Sequence, residues 1–351
     1  MTQLRDEQKR LAKKKATISD VAKEAGVHPS TVSRVLNNDR NGRTSAEVAK
    51  RIRQIAWRLD YRANPVAASM RTKSSRTIGF IVHDFNDPVY PPLLKGIESV
   101  LRPEGYLVVI GNTNYDIKTE IELVENMALR FVDGLILATT RLIDPVLSRC
   151  LELGVPTVSV LRRAIDGAQS AVVNDCLGGM RTLTRKVLEA GHKDISFIAA
   201  PLNLSSAIER YEGVIDTLAE VGILLPPDRL IFVEQMGVEQ GYAAMQKILS
   251  LRKTPPQAVI CVNDLVALGA LKACKEHRLR CPEKVSITGY NDIPFLDLME
   301  PPLTSVHIKL EEIGAKSGAL IMSRIKNPSL PPIVDRVAPY LQIRSSLGTV
   351  R

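Results

Sequence analysis

Pro29, Ser30, Thr31, Ser33 and Arg34 fall within six residues, at spacings that gather them on the outer face of one short helix. Small hydroxyls, a rigid ring and one guanidinium form the kind of helix surface that can approach base edges and phosphates in a DNA groove. His28 directly precedes Pro29. Proline suits the first helical position, because its missing N–H would be unsatisfied there anyway. His28 is then the cap-like residue, poised close to a phosphate.

Those side chains need a scaffold. Residues 17–38 carry two amphipathic helical patterns joined at Gly26-Val27. Ile18, Val21, Ala22 and Ala25 share one face of the first, for which Ser19 is the expected N-cap. Val32, Val35 and Leu36 share one face of the second. Two short helices and a tight turn make a helix-turn-helix. A third helix is expected over residues 45–59, with Val48, Ile52, Ile55, Ala56 and Leu59 as its apolar stripe. Trp57, the only Trp, is expected at the edge of this small core. Asn64 and Pro65 then give another cap signature, opening a helix over residues 65–70 that is too short to be stable alone in water. Either DNA holds it, with Met70 as an apolar wedge between base steps, or it is an ordinary linker. The residues leave both readings open.

Charge separates this region from the rest. Residues 1–76 hold 18 Lys and Arg against 7 Asp and Glu, a net of +11, whereas the remainder nets −2 within a total of +9. A basic N-terminal module on a near-neutral body is the electrostatic footprint of a nucleic-acid binder. A hydrophobic fraction of 45% and 24% charged residues are ordinary for a soluble globular protein of two or three domains. No apolar run reaches membrane-spanning length, and the charged N-terminus does not read as a secretory signal, so the cytoplasm is the expected location. The five Cys show no metal-ligand spacing. GxGxxG, GxxxxGK[ST], HExxH and GxSxG are absent, so no cofactor, metal or catalytic fingerprint is present. A solute receptor for a transporter is the alternative, and the basic module argues against it.

Beyond residue 76, short apolar runs alternate with helical stretches. Residues 78–82, 107–111, 134–138 and 157–160 read as buried parallel strands, and 195–199, 258–262 and 286–288 repeat the pattern. This punctuation predicts a doubly wound α/β architecture in two subdomains. Ligands in such sheets bind beyond the carboxyl ends of the strands, and two facing subdomains make a hinged cleft.

The blocks TISDVAKEAGV and TVSRVLN, then YRANPVAASMRTK and RTIGFIV, resemble the lactose/galactose repressor family of bacterial transcription regulators. The resemblance implies a small all-α helix-turn-helix domain joined to a two-lobed α/β domain of doubly wound parallel sheets, similar to periplasmic sugar-binding proteins. It implies a disordered basic tail over 1–16, a DNA-binding domain over 17–62, a hinge helix and linker over 63–76, and an effector-binding and dimerisation domain over 77–351. Within the last, the N-subdomain is expected over about 77–173 plus 305–328, and the C-subdomain over about 174–304 plus 329–351. Pro29, Ser30 and Arg34 become base-reading positions, with Arg34 against a guanine. His28, Thr31, Ser33 and Asn37 become phosphate contacts. Asn64, Ala67 and Met70 belong to the hinge helix, where Met70 replaces the family's usual Leu.

For the effector the resemblance points to Asn86, Tyr90, Thr139, Arg162, Ser206, Arg210, Asn263 and Asn291. Asn291-Asp292 stands where sugar-binding members often show Asp-Asp. With Arg162 and Arg210 as guanidinium forks, this leans the expected effector toward a sugar acid or phosphosugar. The expected whole is a repressor without enzymatic activity, bound as a homodimer to a pseudo-palindromic double-stranded operator. The helices around 92–101 and 310–325 are candidates for its dimer face, and the absence of a C-terminal heptad tail favours a dimer over a tetramer.

Overall fold

The computed structural model describes residues 16–36, 44–61, 74–130 and 132–350. Asn37, Asn64, Ala67, Met70, the basic tail up to residue 15 and the helix expected over 65–70 lie outside the described residues. The chain divides into two compact units, Met1–Ser75 and Arg76–Arg351.

In the smaller unit, helix α1 (Ile18–Ala25) begins with a capping box. The Thr17 hydroxyl accepts the Asp20 N–H at 3.3 Å, and the Asp20 carboxylate accepts the Thr17 N–H at 2.8 Å. Thr17 is therefore the cap. Ser19, the expected one, lies inside the helix, because the hydroxyl-to-acid spacing that closes a box starts two residues earlier. Gly26 ends α1 at φ +65, the left-handed conformation that glycine adopts without strain. Helix α2 (Pro29–Leu36) follows at once. Helix α3 (Ala46–Arg58) is capped by the Ser45 hydroxyl. Val21, Ala22, Ala25, Val32, Val35, Ile52, Ile55 and Ala56 form one buried cluster. Each fully buried Val or Ile in it contributes about 1.5–3 kcal/mol relative to exposure. Trp57 is 88% exposed, not at the core edge as expected. One residue past Ala56 rotates it about 100° off the buried stripe, and helical phase outweighs residue type.

The larger unit opens with β1 (Thr77–Val82), α4 (Tyr90–Leu101), β2 (Leu107–Asn112), α5 (Ile117–Leu129), β3 (Gly134–Leu137), α6 (Pro145–Glu152), β4 (Thr157–Val160) and β5 (Ser170–Asn174). The chain continues through α7 (Cys176–Glu189), β6 (Ile195–Ala199), α8 (Ser205–Ala219), β7 (Leu230–Phe232), α9 (Val238–Leu251), β8 (Ala258–Cys261), α10 (Asp264–Glu276) and β9 (Ser286–Asn291). It closes with β10 (Thr304–His307), α11 (Leu310–Lys326), β11 (Val334–Val337) and β12 (Tyr340–Gln342). Two six-stranded sheets result, ordered β11-β5-β4-β3-β1-β2 and β12-β10-β9-β8-β6-β7. All pairings are parallel except β10 with β12. Strands such as β3, β4, β6 and β8 are buried along their whole length, as helix-covered parallel sheets require.

The sheets correct the expected subdomain boundaries. Thr304–His307 pairs with Ser286–Asn291, so the segment starting at 305 is still in the second lobe and the chain leaves it after β10. Val334–Val337 pairs with Ser170–Asn174, so the final crossing falls between β11 and β12 rather than near 329. The sequence Val-Asp-Arg-Val, only partly buried at a sheet edge, carries no apolar run to announce a strand.

The two helices expected at a dimer face pack on each other inside the first lobe. A Cβ placed on Gly96 of α4 would lie 2.1 Å from the Glu311 carbonyl oxygen, and one on Gly314 of α11 would lie 2.1 Å from that of Leu93. Their facing sides are therefore used within one chain.

Candidate functional site

The groups anticipated for DNA cluster on the outer side of α2. His28 and Ser30 are exposed, and Pro29, Thr31, Ser33 and Arg34 are half-buried, while Val32 and Val35 face the core. His28 Nδ1 accepts the Ser30 N–H at 3.2 Å and lies 2.8 Å from the Ser30 hydroxyl. An accepting Nδ1 leaves Nε2 as the protonated nitrogen, a donor at the helix N-terminus where anions are favoured. Arg34 folds along its own helix, with Nε on the Ser30 carbonyl at 3.2 Å and Nη2 on the Thr31 hydroxyl at 3.3 Å. One contact is exposed and the other partly buried, both are long, and contacts of this kind can be exchanged for base edges.

In the larger unit, the expected effector residues divide into two groups. Arg162, just past β4, donates from Nη1 to His83 Nε2 at 2.9 Å. Arg210, on α8 of the other lobe, donates to the Val262 carbonyl at 2.9 Å and to Asn291 Oδ1 at 3.2 Å, and its guanidinium lies 4.0 Å from the centre of the Tyr290 ring. Neither guanidinium has a carboxylate partner among the described residues. Burial, reinforced by the like charge of Arg210, holds the Arg162 pKa below its ordinary value. Asp87, whose carboxylate caps the Val89 N–H at 3.1 Å, lies within electrostatic reach of both arginines, and burial raises its pKa.

Tyr90 is buried edge-to-face on Phe80, with ring centres 6.3 Å apart, and feels the Arg162 charge; burial raises its pKa. Thr139 is fully buried at the end of β3, beside Glu120. Ser206 is nearly buried in the first turn of α8.

Two of the expected effector residues already make structural hydrogen bonds. Asn263 caps α10 by accepting the Val266 N–H at 2.9 Å and donates to the Met236 carbonyl at 3.0 Å. Asn86 is exposed and bound to Asp84 at 2.9 Å. Asp292 is held by Arg344 at 2.7 Å and His307 at 2.9 Å. Asn291, at φ +113, thus faces Arg210 without a competing acid on its own side chain.

Five hydrogen bonds and an ion pair link the lobes among the described residues. Asn174 donates to the Tyr290 hydroxyl at 2.7 Å, the Arg163 N–H to Ser205 Oγ at 2.9 Å, and the Leu142 N–H to the Asn203 carbonyl at 3.0 Å. Glu209 accepts from Arg336 at 2.9 and 3.2 Å, with Arg163 at 3.6 Å. His83, Tyr115 and Glu209 were not anticipated from sequence. His83 immediately follows β1, at the carboxyl end of a parallel strand, and that position was the available signal.

A family model described as bacterial regulatory proteins, lacI family, matches residues 17–64, and one described as a periplasmic binding protein-like domain matches residues 184–347. The chain is 33% identical over 335 residues to the HTH-type transcriptional repressor PurR of Pasteurella multocida, covering 95% of this chain and 98% of that one. It is 30% identical over 334 residues to the ribose operon repressor of Escherichia coli K12, covering 94% and 99%. A solved complex of the transcriptional regulator CelR with cellobiose is similar in structure, with a TM-score of 0.72 at 28% identity, covering 94% and 99%.

Proposed function

Because this chain belongs to the lacI family of bacterial regulatory proteins, it is a DNA-binding transcriptional repressor rather than an enzyme, and we propose that its effector is an anion bound between Arg162 and Arg210. One observation carries this reading. Two arginines, one from each lobe, are anchored only by uncharged acceptors: an imidazole, a carbonyl, an amide and a ring face. By contrast, Arg141 and Arg344 are paired with acids, Glu120 and Asp292. A carboxylate or phosphate between the two guanidinium groups would relieve their mutual repulsion and draw the lobes together. A sugar acid or phosphosugar supplies that charge together with hydroxyls for Asn291 and Ser206. His28 and, on α2, Pro29, Ser30, Thr31, Ser33 and Arg34 meet the operator in the major groove, and a homodimer places two such helices on a pseudo-palindrome. Asn37 adds a phosphate contact, and the segment with Asn64, Ala67 and Met70 takes the central minor groove, with Met70 as the wedge. Among the described residues no helix is long and apolar enough to cross a membrane.

Melting temperatures of the full chain with matched ligands test the effector class. Gluconate against glucose, and ribose 5-phosphate against ribose, separate charge from shape. Stabilisation by the anionic member of a pair supports the reading. Stabilisation by the neutral sugars alone opposes it and favours the second reading, a neutral sugar, which the structural likeness to the cellobiose-bound regulator supports.

A further inference from the structure

We infer that His83 is a positioning residue: it fixes the Arg162 guanidinium for an anionic ligand without adding a negative charge that would compete with that ligand. This inference rests on the anionic-effector reading above. Arginine can only donate, so the 2.9 Å contact makes His83 Nε2 a bare acceptor and puts the ring proton on Nδ1, 3.5 Å from Thr113 Oγ1. The imidazole is also stacked on Tyr115, with ring centres 4.8 Å apart and planes 8° from parallel. Tyr115 and its neighbour Asn114 stand at φ +63 and +51, a left-handed turn that is uncommon outside glycine and that carries the phenol onto the imidazole. His83 is buried and bounded by residues following β1 and β2, so its ring has little room to turn.

The choice of anchor decides the charge. A carboxylate would orient Arg162 at least as firmly, as Glu120 does for Arg141 at 2.9 Å, but it would also cancel the charge a ligand needs. A neutral imidazole supplies one lone pair and no charge. Burial, followed by the charges of Arg162 and Arg141, lowers the His83 pKa to about 3, so the ring stays an acceptor at neutral pH. Arg210 follows the same logic in the other lobe, where its acceptors are again uncharged.

The test compares full-length wild type, His83→Gln and His83→Glu by calorimetric titration with inorganic phosphate, gluconate, ribose 5-phosphate, glucose and ribose. Gluconate and the phosphates separate a carboxylate from a phosphate preference. His83→Gln keeps an uncharged acceptor and should retain anion binding within a few-fold. His83→Glu should weaken the preferred anion by about tenfold or more, while leaving any neutral-sugar affinity unchanged. Equal anion affinity in wild type and His83→Glu overturns the role of His83 and leaves the anionic reading standing. A wild type that binds only neutral sugars overturns both. Nitrogen-15 spectra of the wild-type histidines give a readout that needs no ligand. A neutral, Nδ1-protonated His83 at pH 6 supports the inference, and an imidazolium or an Nε2-protonated ring overturns it.

Discussion

Glu209 on the second lobe receives a two-pronged hydrogen bond from Arg336 on the first, at 2.9 and 3.2 Å. Glu209 is the neighbour of Arg210 on α8, so the same helix that offers a guanidinium to the cleft also fastens the lobes. The pair is partly exposed, and solvent screening limits its contribution to about 1 kcal/mol or less. Glu209→Gln should therefore shift the lobes toward opening without unfolding the chain. Hydrogen exchange in the peptide covering 203–210 should quicken by a few-fold, with effector affinity falling in parallel. Unchanged exchange would show that Asn174, Ser205 and Asn203 hold the lobes without Glu209.

Arg34 rests on Ser30 and Thr31 through contacts that DNA can replace. Arg34→Ala should weaken binding to a selected operator by about 1–3 kcal/mol and relax discrimination at one base pair. Fluorescence anisotropy with operator variants checks this. An equal loss across all variants would make Arg34 a phosphate contact.

The basic first unit should make operator affinity strongly salt-dependent. Each neutralised phosphate contributes a slope of about 0.9 in log affinity against log salt. Titrations between about 50 and 200 mM salt measure that slope. A flat response would contradict neutralisation of DNA phosphates by the Lys and Arg of the first unit.

Protonation of His83 should appear in the acid stability of the protein. Its pKa falls from the ordinary 6.5 to about 3 in the folded state. The unfolded chain then binds a proton that the native state refuses, so this contribution is complete above pH 6.5 and is lost as pH falls toward 3. The limit is about 1.4 kcal/mol per pH unit. Asp264 pulls the other way, because burial raises its pKa to about 7 and its contribution is lost as pH rises through that value. The His83 effect is therefore read as a difference: His83→Gln should gain stability relative to wild type as pH drops from about 6.5 to 4 in urea titrations. A constant difference would mean that His83 titrates normally.

Close packing of α4 on α11 makes Gly96 a sensitive position. Gly96→Ala gains about 1 kcal/mol of helix propensity, but its Cβ would lie 2.1 Å from the Glu311 carbonyl oxygen, which is backbone and cannot swing aside. The clash should dominate, giving a net loss of about 1–3 kcal/mol. Gly318→Ala, with its nearest atom at 3.1 Å, should cost less. Urea unfolding of both variants compares them, and equal stability would show that the helices separate easily.

Elements written in local pattern were legible from sequence. The apolar stripes of α1, α2 and α3 depend on residues within a few positions, although the α1 cap is Thr17 and not the expected Ser19, and the buried strands of both sheets announce themselves as apolar runs. Trp57 misleads because residue type suggests burial while helical phase places it outward. Asn263 is ambiguous in sequence because an Asn after a strand serves equally as ligand contact or helix cap, and the fold shows that it caps α10 with one N–H still available. The β11 crossing is illegible because four half-polar residues at a sheet edge need little hydrophobicity. His83 escaped notice because its partner lies 79 residues away, and no local spacing reports that the ends of β1 and β4 converge.

The central claim is that an anion between Arg162 and Arg210 controls DNA binding. Its most direct measurement is the operator affinity of the full chain with and without the anion that raises its melting temperature, in wild type and in Arg162→Gln. Linkage between the two sites should change wild-type affinity by about 5- to 150-fold and leave Arg162→Gln unmoved. An equal shift in both proteins, or an equal shift with the matched neutral sugar, would contradict the account.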